Sequence, residues 1–133
     1  MKPARIVLVE DNPGDVLLVE MALKENGIPC ELTLFQNGTE ALRALSAPEG
    51  TAFVPDAILL DLNTPRSDGF HVLIQLTQSP RLSHVPIAIL TSSKASSDKH
   101  RAELQSVRFI PKPSHLEDFL ATVGGAVREM LHV

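Results

Sequence analysis

The sequence predicts an α/β fold with helices on both faces of one parallel sheet. Three observations carry that expectation. Short apolar runs alternate with longer, helix-patterned segments along the 133 residues. The runs IVLV (6–9), AILL (57–60) and IAIL (87–90) have no polar side, as strands buried on both faces require. Glu10-Asp11, Asp61, Thr91 and Lys112 stand at or just past the ends of such runs.

The run at 6–9 is too short for a helix and rich in β-branched residues, so it reads as a buried strand. Asn12 then caps a helix with Pro13 at its first position. Its apolar residues extend from Val16 to Leu23, and Asn26-Gly27, followed by Pro29, stops it. Leu32, Leu34 and Phe35 alternate imperfectly with Glu31 and Thr33, which predicts an edge strand. Asn37 caps a second helix, with Glu40 three residues on as in a capping box. That helix carries Ala41, Leu42 and Leu45 and ends before Pro48; 47–55 is a loop by composition.

The second apolar run, at 57–60, is followed by a helix expected over 69–78 and closed by Ser79-Pro80. After the third run, at 87–90, the stretch 95–105 is the most polar helix, with only Ala95, Ala102 and Leu104 apolar. The segment 107–110 includes Arg108 and reads as a second edge strand. Ser114 and Glu117 are expected to form another capping box, opening a last helix that buries Leu116, Phe119, Leu120, Val123, Val127 and Leu131. Gly124-Gly125 within it costs about 1 kcal/mol per glycine relative to alanine.

Five strands alternating with five helices, joined by right-handed crossovers, fit a flavodoxin-like, doubly wound (βα)5 sheet of order 2-1-3-4-5. That order puts the three apolar strands at the centre and the two mixed ones at the edges. Asp61 to Thr91 spans one strand–helix–strand unit of about 30 residues, and Asp11 to Asp61 leaves room for two. Ligands bind such sheets outside the carboxyl ends of the strands, where the order reverses. Strands 1 and 3 flank that point and end in Asp11 and Asp61.

Length and composition set the outer bounds. A chain of this length is expected to form one domain around one core, and 44% hydrophobic with 21% charged residues is ordinary for a globular protein. A net charge of −4 without a basic stripe argues against a nucleic-acid partner. No apolar run approaches the ~20 residues of a membrane helix, and the first run ends at once in Glu10-Asp11, unlike a secretory signal. The single cysteine, Cys30, excludes an internal disulfide and fits a cytoplasmic location; it reads as a small buried residue. The five histidines, 71, 84, 100, 115 and 132, show no helical pairing for zinc.

Three carboxylates in one crevice repel each other unless a cation neutralises them. Glu10, Asp11 and Asp61 therefore point to a divalent metal with hard oxygen ligands, and Mg²⁺ suits a few carboxylates, retained waters and a phosphate oxygen. Asp61 can act as a nucleophile that forms an aspartyl phosphate. Lys112, between two prolines, supplies a point charge for a phosphoryl group, and Thr91 a hydroxyl. Each has a plainer reading alone: acids at a helix start, an acid in a turn-rich loop, a surface lysine, a strand-terminal threonine. Only the set is specific.

The set VEDN (9–12), LLDLNTPRSDG (59–69), ILTSS (89–93) and FIPKP (109–113) resembles the receiver domain of two-component response regulators, in order and over essentially the whole chain. VEDNPGD and DLNTPRSDG further resemble stand-alone regulators that serve phytochrome-type histidine kinases. The resemblance implies that Asp61 is the phosphoacceptor and that a kinase phosphohistidine is the donor. It implies that Asp11 binds the Mg²⁺ directly, Glu10 through water, and Asn63 through its backbone carbonyl. Thr91 and Lys112 match the phosphoryl contacts, Thr91 and Phe109 the switch pair, and Asn63 and Ser93 the positions that tune hydrolysis. It also implies a cis Lys112–Pro113 bond and a homodimer through helix 4, strand 5 and helix 5. Thr64 departs from the usual larger apolar residue, and Phe109 lacks the hydroxyl of the common tyrosine.

Two other readings compete. An aspartyl-phosphate hydrolase needs a second acid at the position of Asn63, which cannot exchange a proton. A receiver-like module that binds without phosphorylation would not need the full site set. The chain ends soon after the fifth helix, so a single receiver domain without an output domain is expected over 1–133, signalling by protein–protein contact or phosphorelay.

Overall fold

A computed structural model describes residues 2–46, 54–63, 69–92 and 96–133. The strands are β1 (Ala4–Val9), β2 (Cys30–Phe35), β3 (Ala57–Leu60), β4 (Ile87–Thr91) and β5 (Arg108–Pro111). Between and after them run α1 (Pro13–Glu25), α2 (Gly38–Leu45), α3 (Gly69–Gln78), α4 (Ser96–Leu104) and α5 (Leu116–Leu131), with a 3₁₀ turn at Pro80–Leu82. All strand pairs are parallel and the order is β2-β1-β3-β4-β5, as expected.

Strand side chains alternate between two cores. Ile6, Leu8, Ala57, Leu59, Ala88, Leu90 and Ile110 face α1 and α5. Val7, Val9, Ile58, Leu60, Ile87 and Ile89 face α2, α3 and Ala102 of α4. The three central strands are buried on both sides, which is why their sequences carry no polar alternation. The register brings strand ends level: Val9 lies between Phe35 and Leu60, and Thr91 beside Pro111.

The helix caps follow local chemistry. Asn12 accepts from the Gly14 and Asp15 N–H groups, and Pro13 occupies the first turn where a missing donor costs nothing. Asn37 accepts from the Glu40 N–H at 2.9 Å. The capping box expected at Ser114 and Glu117 does not form. His115 is the N-cap and Leu116 the first helical residue, so Glu117 falls one position short of the box and, with Asp118, faces the helix dipole instead.

The buried stripe of α5 is Phe119, Val123, Gly124, Val127 and Met130. Leu120 and Leu131 are only partly buried and Leu116 is 50% exposed. Leu116 shares the angular position of the stripe, but periodicity selects a side of a helix and not how far along it the core reaches. No peptide bond among the described residues is cis, so the implied cis Lys112–Pro113 is not found. The trans form is the intrinsically favoured one, by about 0.5–1 kcal/mol. Ala95, the expected start of the fourth helix, and most of the loop expected at 47–55 lie outside the described residues.

Candidate functional site

The parallel hydrogen bonding continues one residue past the central strands and so sets the rim. The Glu10 N–H donates to the Phe35 carbonyl at 2.9 Å, Asp61 N–H to Val9 at 3.0 Å, and Lys112 N–H to Thr91 at 2.7 Å. These bonds hold the strand-end residues of β1, β3, β4 and β5 at one edge, as their sequence positions predict. Glu10 is 1% exposed, Asp61 4% and Thr91 fully buried. Asp11, next to the cap of α1, stays exposed.

One oxygen from each of Glu10, Asp11 and Asp61 lies within 4.8 Å of the others. The Lys112 Nζ sits among them, 3.1 Å from Glu10 Oε2 and 3.1 Å from Asp61 Oδ2. It also donates to Asp15 Oδ2 at 2.7 Å. The Asn63 N–H donates to Asp61 Oδ1 at 2.9 Å, so both oxygens of Asp61 are held. The Asn63 side-chain amide donates to the Thr91 hydroxyl at 3.1 Å, tying the loop after β3 to the end of β4.

Burial pushes the Glu10 carboxyl up, and the hydrogen bond and charge of Asp61 add to it, reaching about 8 despite Lys112. For Asp61 burial also pushes upward, but hydrogen bonds from Glu10 and the Asn63 N–H, with the Lys112 charge, outweigh it and hold the carboxyl below its ordinary value. Burial opposes the Lys112 ammonium, yet Asp15, Asp61 and Glu10 together raise its pKa. Burial and the neighbouring Asp61 thus favour the protonated form of Glu10, while Glu10, the Asn63 N–H and Lys112 favour the charged form of Asp61. Three hard carboxylate donors in this spacing suit a divalent cation, which would replace the Glu10 proton.

Phe109 stands on β5 opposite Ile89, half-buried against the core of α2, α3 and α4 rather than at the carboxylates. Ser93 and Thr64 lie outside the described residues. Asp15 was not among the expected site residues. The only signal was its place as the acid in the first turn of α1, four residues past the Asp11 that ends the β1 rim. Cys30 is half-buried on β2 against the core of α1 and α5, and burial raises its thiol pKa.

A parallel five-stranded sheet with a carboxylate cluster, a hydroxyl and a lysine at its carboxyl rim defines a phosphoacceptor signalling domain. The response regulator receiver domain matches residues 6–124, and the chain belongs to that family. Rcp1 of Synechocystis sp., a response regulator, is 35% identical over 126 residues, covering 92% of this chain and 86% of that protein. FilR2 of Methanothrix harundinacea is 36% identical over 123 residues, covering 91% of this chain and 79% of its own length. Among solved structures, the phosphorylated cyanobacterial phytochrome response regulator RcpA superposes with a TM-score of 0.88 at 32% identity, covering 98% of this chain and 95% of that one. The Mn²⁺-bound form of Rcp1 gives 0.87 at 33% identity, covering 98% and 96%.

Proposed function

We propose that Asp61 accepts a phosphoryl group from a histidine kinase in a Mg²⁺-dependent transfer. The observation that carries this reading is the setting of Asp61: buried, and held at both oxygens by the Asn63 N–H and Lys112 on the rim shared with Glu10 and Asp11. Mg²⁺ on Glu10, Asp11, Asp61 and the Asn63 carbonyl would offset charge on the phosphoryl oxygens. An Asp61 oxygen attacks phosphorus in line, the P–N bond of the phosphohistidine breaks, and its electron pair returns to the imidazole. Lys112 stabilises the transferred group as a point charge.

The Thr91 hydroxyl turns from the Asn63 amide toward the new anion, and Phe109 follows into the core as the switch. Asn63 and Ser93 set how fast water removes the group. The donor kinase is of phytochrome type; RcpA's description as a phytochrome response regulator supports this. Output is by protein–protein contact or phosphorelay, in the cytoplasm, with homodimerisation through α4, β5 and α5. No helix among the described residues is long and apolar enough to cross a membrane.

The test is intact-mass spectrometry after incubation with acetyl phosphate and Mg²⁺. One phosphoryl group is expected on the wild type, and none on Asp61→Asn or without Mg²⁺. A folded, Mg²⁺-binding wild type that gains no mass would instead favour a phosphorylation-independent binding module.

A further inference from the structure

Lys112 makes its shortest contact with none of the residues assigned to the cation. Its Nζ lies 2.7 Å from Asp15 Oδ2, against 3.1 Å to both Glu10 Oε2 and Asp61 Oδ2. Asp15 is placed by the start of α1. Its own N–H donates to Asn12 Oδ1 at 3.2 Å, and Pro13 restricts the backbone before it. Its carboxylate is outside the group whose oxygens could share one ion, which comprises Glu10, Asp11 and Asp61 among the described residues.

This arrangement sets up a competition. A cation and the Lys112 ammonium both need Glu10 and Asp61. An ammonium on a flexible four-carbon stem, displaced with no other partner, is drawn out to water. We propose that Asp15 is a positioning residue for Lys112: it keeps the ammonium at the rim when a cation takes the carboxylates of Glu10 and Asp61. The cation then binds without expelling Lys112 into solvent, and the lysine stays within reach of a phosphoryl group on Asp61. The inference rests on the phosphoacceptor reading of that aspartate.

The test is a double-mutant cycle with Asp15→Asn and Lys112→Met, using calorimetric Mg²⁺ titration and the rate of acetyl phosphate labelling. Removing one charged hydrogen bond from Lys112 is expected to weaken Mg²⁺ binding about tenfold in Asp15→Asn and to slow labelling. In the Lys112→Met background the same substitution is expected to change Mg²⁺ affinity by less than about twofold. An equal loss in both backgrounds would show Asp15 acting on the cation directly and overturn the proposal, as would no loss in either. A wild type that binds Mg²⁺ without being labelled would overturn the function of Asp61, while the calorimetric cycle still decides the role of Asp15.

Discussion

The proton on Glu10 links cation binding to pH. Its carboxyl is pushed from its ordinary 4.5 up to about 8, first by burial and then by Asp61. Between those values the folded, metal-free protein holds a proton that the unfolded chain has released. Stability from this group is therefore complete below about pH 4.5, declines as pH rises, and levels off above about 8. A cation must displace the same proton, so Mg²⁺ affinity should run the other way, rising across that window. Calorimetry at about pH 6 and about pH 8 should show tighter binding at the higher pH, with buffer-dependent heat from proton release. In Glu10→Gln that pH dependence should disappear. Equal wild-type affinity at both values would mean that Glu10 is already ionised before the cation arrives.

Helix placement depends on contacts between elements that no local pattern announces. Asn26, the C-cap of α1, donates its side-chain amide to the Ala22 carbonyl at 2.8 Å and to Leu120 of α5 at 3.0 Å. Arg128 returns a bond to the Asn26 carbonyl at 2.7 Å. Gly124 makes room, because a Cβ there would fall on the Asn26 amide. The helix penalty of this glycine is thus offset by a clasp between α1 and α5. Alanine at 124 gains about 1 kcal/mol of helix propensity but loses the clasp, and overpacking costs about 1–3 kcal/mol. Urea unfolding of Gly124→Ala should show a lower midpoint; a higher one would mean Asn26 swings aside at no cost. On the opposite face of the sheet α4 is held lightly. It buries Ala102 and lays the Arg101 guanidinium over the Phe70 ring, 3.8 Å from its centroid.

At the scale of the molecule, the sheet joins a chemical rim to an outer face. β5 is an edge strand with Arg108 exposed and ion-paired to Glu129 of α5, and Leu104 at the end of α4 is 69% exposed. Homodimerisation through α4, β5 and α5 would cover this edge. Sedimentation across a concentration series should show association that strengthens on phosphorylation. A monomer in both states would exclude the dimer as the output.

Fold class, strand order and most of the rim were legible in the sequence because each rests on a local signal. Double-sided apolar runs mark central strands, and the residue after such a run must lie at the sheet's carboxyl edge. The boundaries of α3 and β3 follow the same logic and agree with expectation. Tertiary structure alone decided three things. It left Leu116 in solvent, because the reach of a core along a helix depends on what packs there. It made Gly124 a seat for Asn26, a contact between distant segments. It joined Asp15 to Lys112, 97 residues apart, so that the lysine at the carboxylate rim is shared among three carboxylates. Periodicity reports which side of an element is buried, whereas partners brought together by the fold depend on the packing of the whole chain.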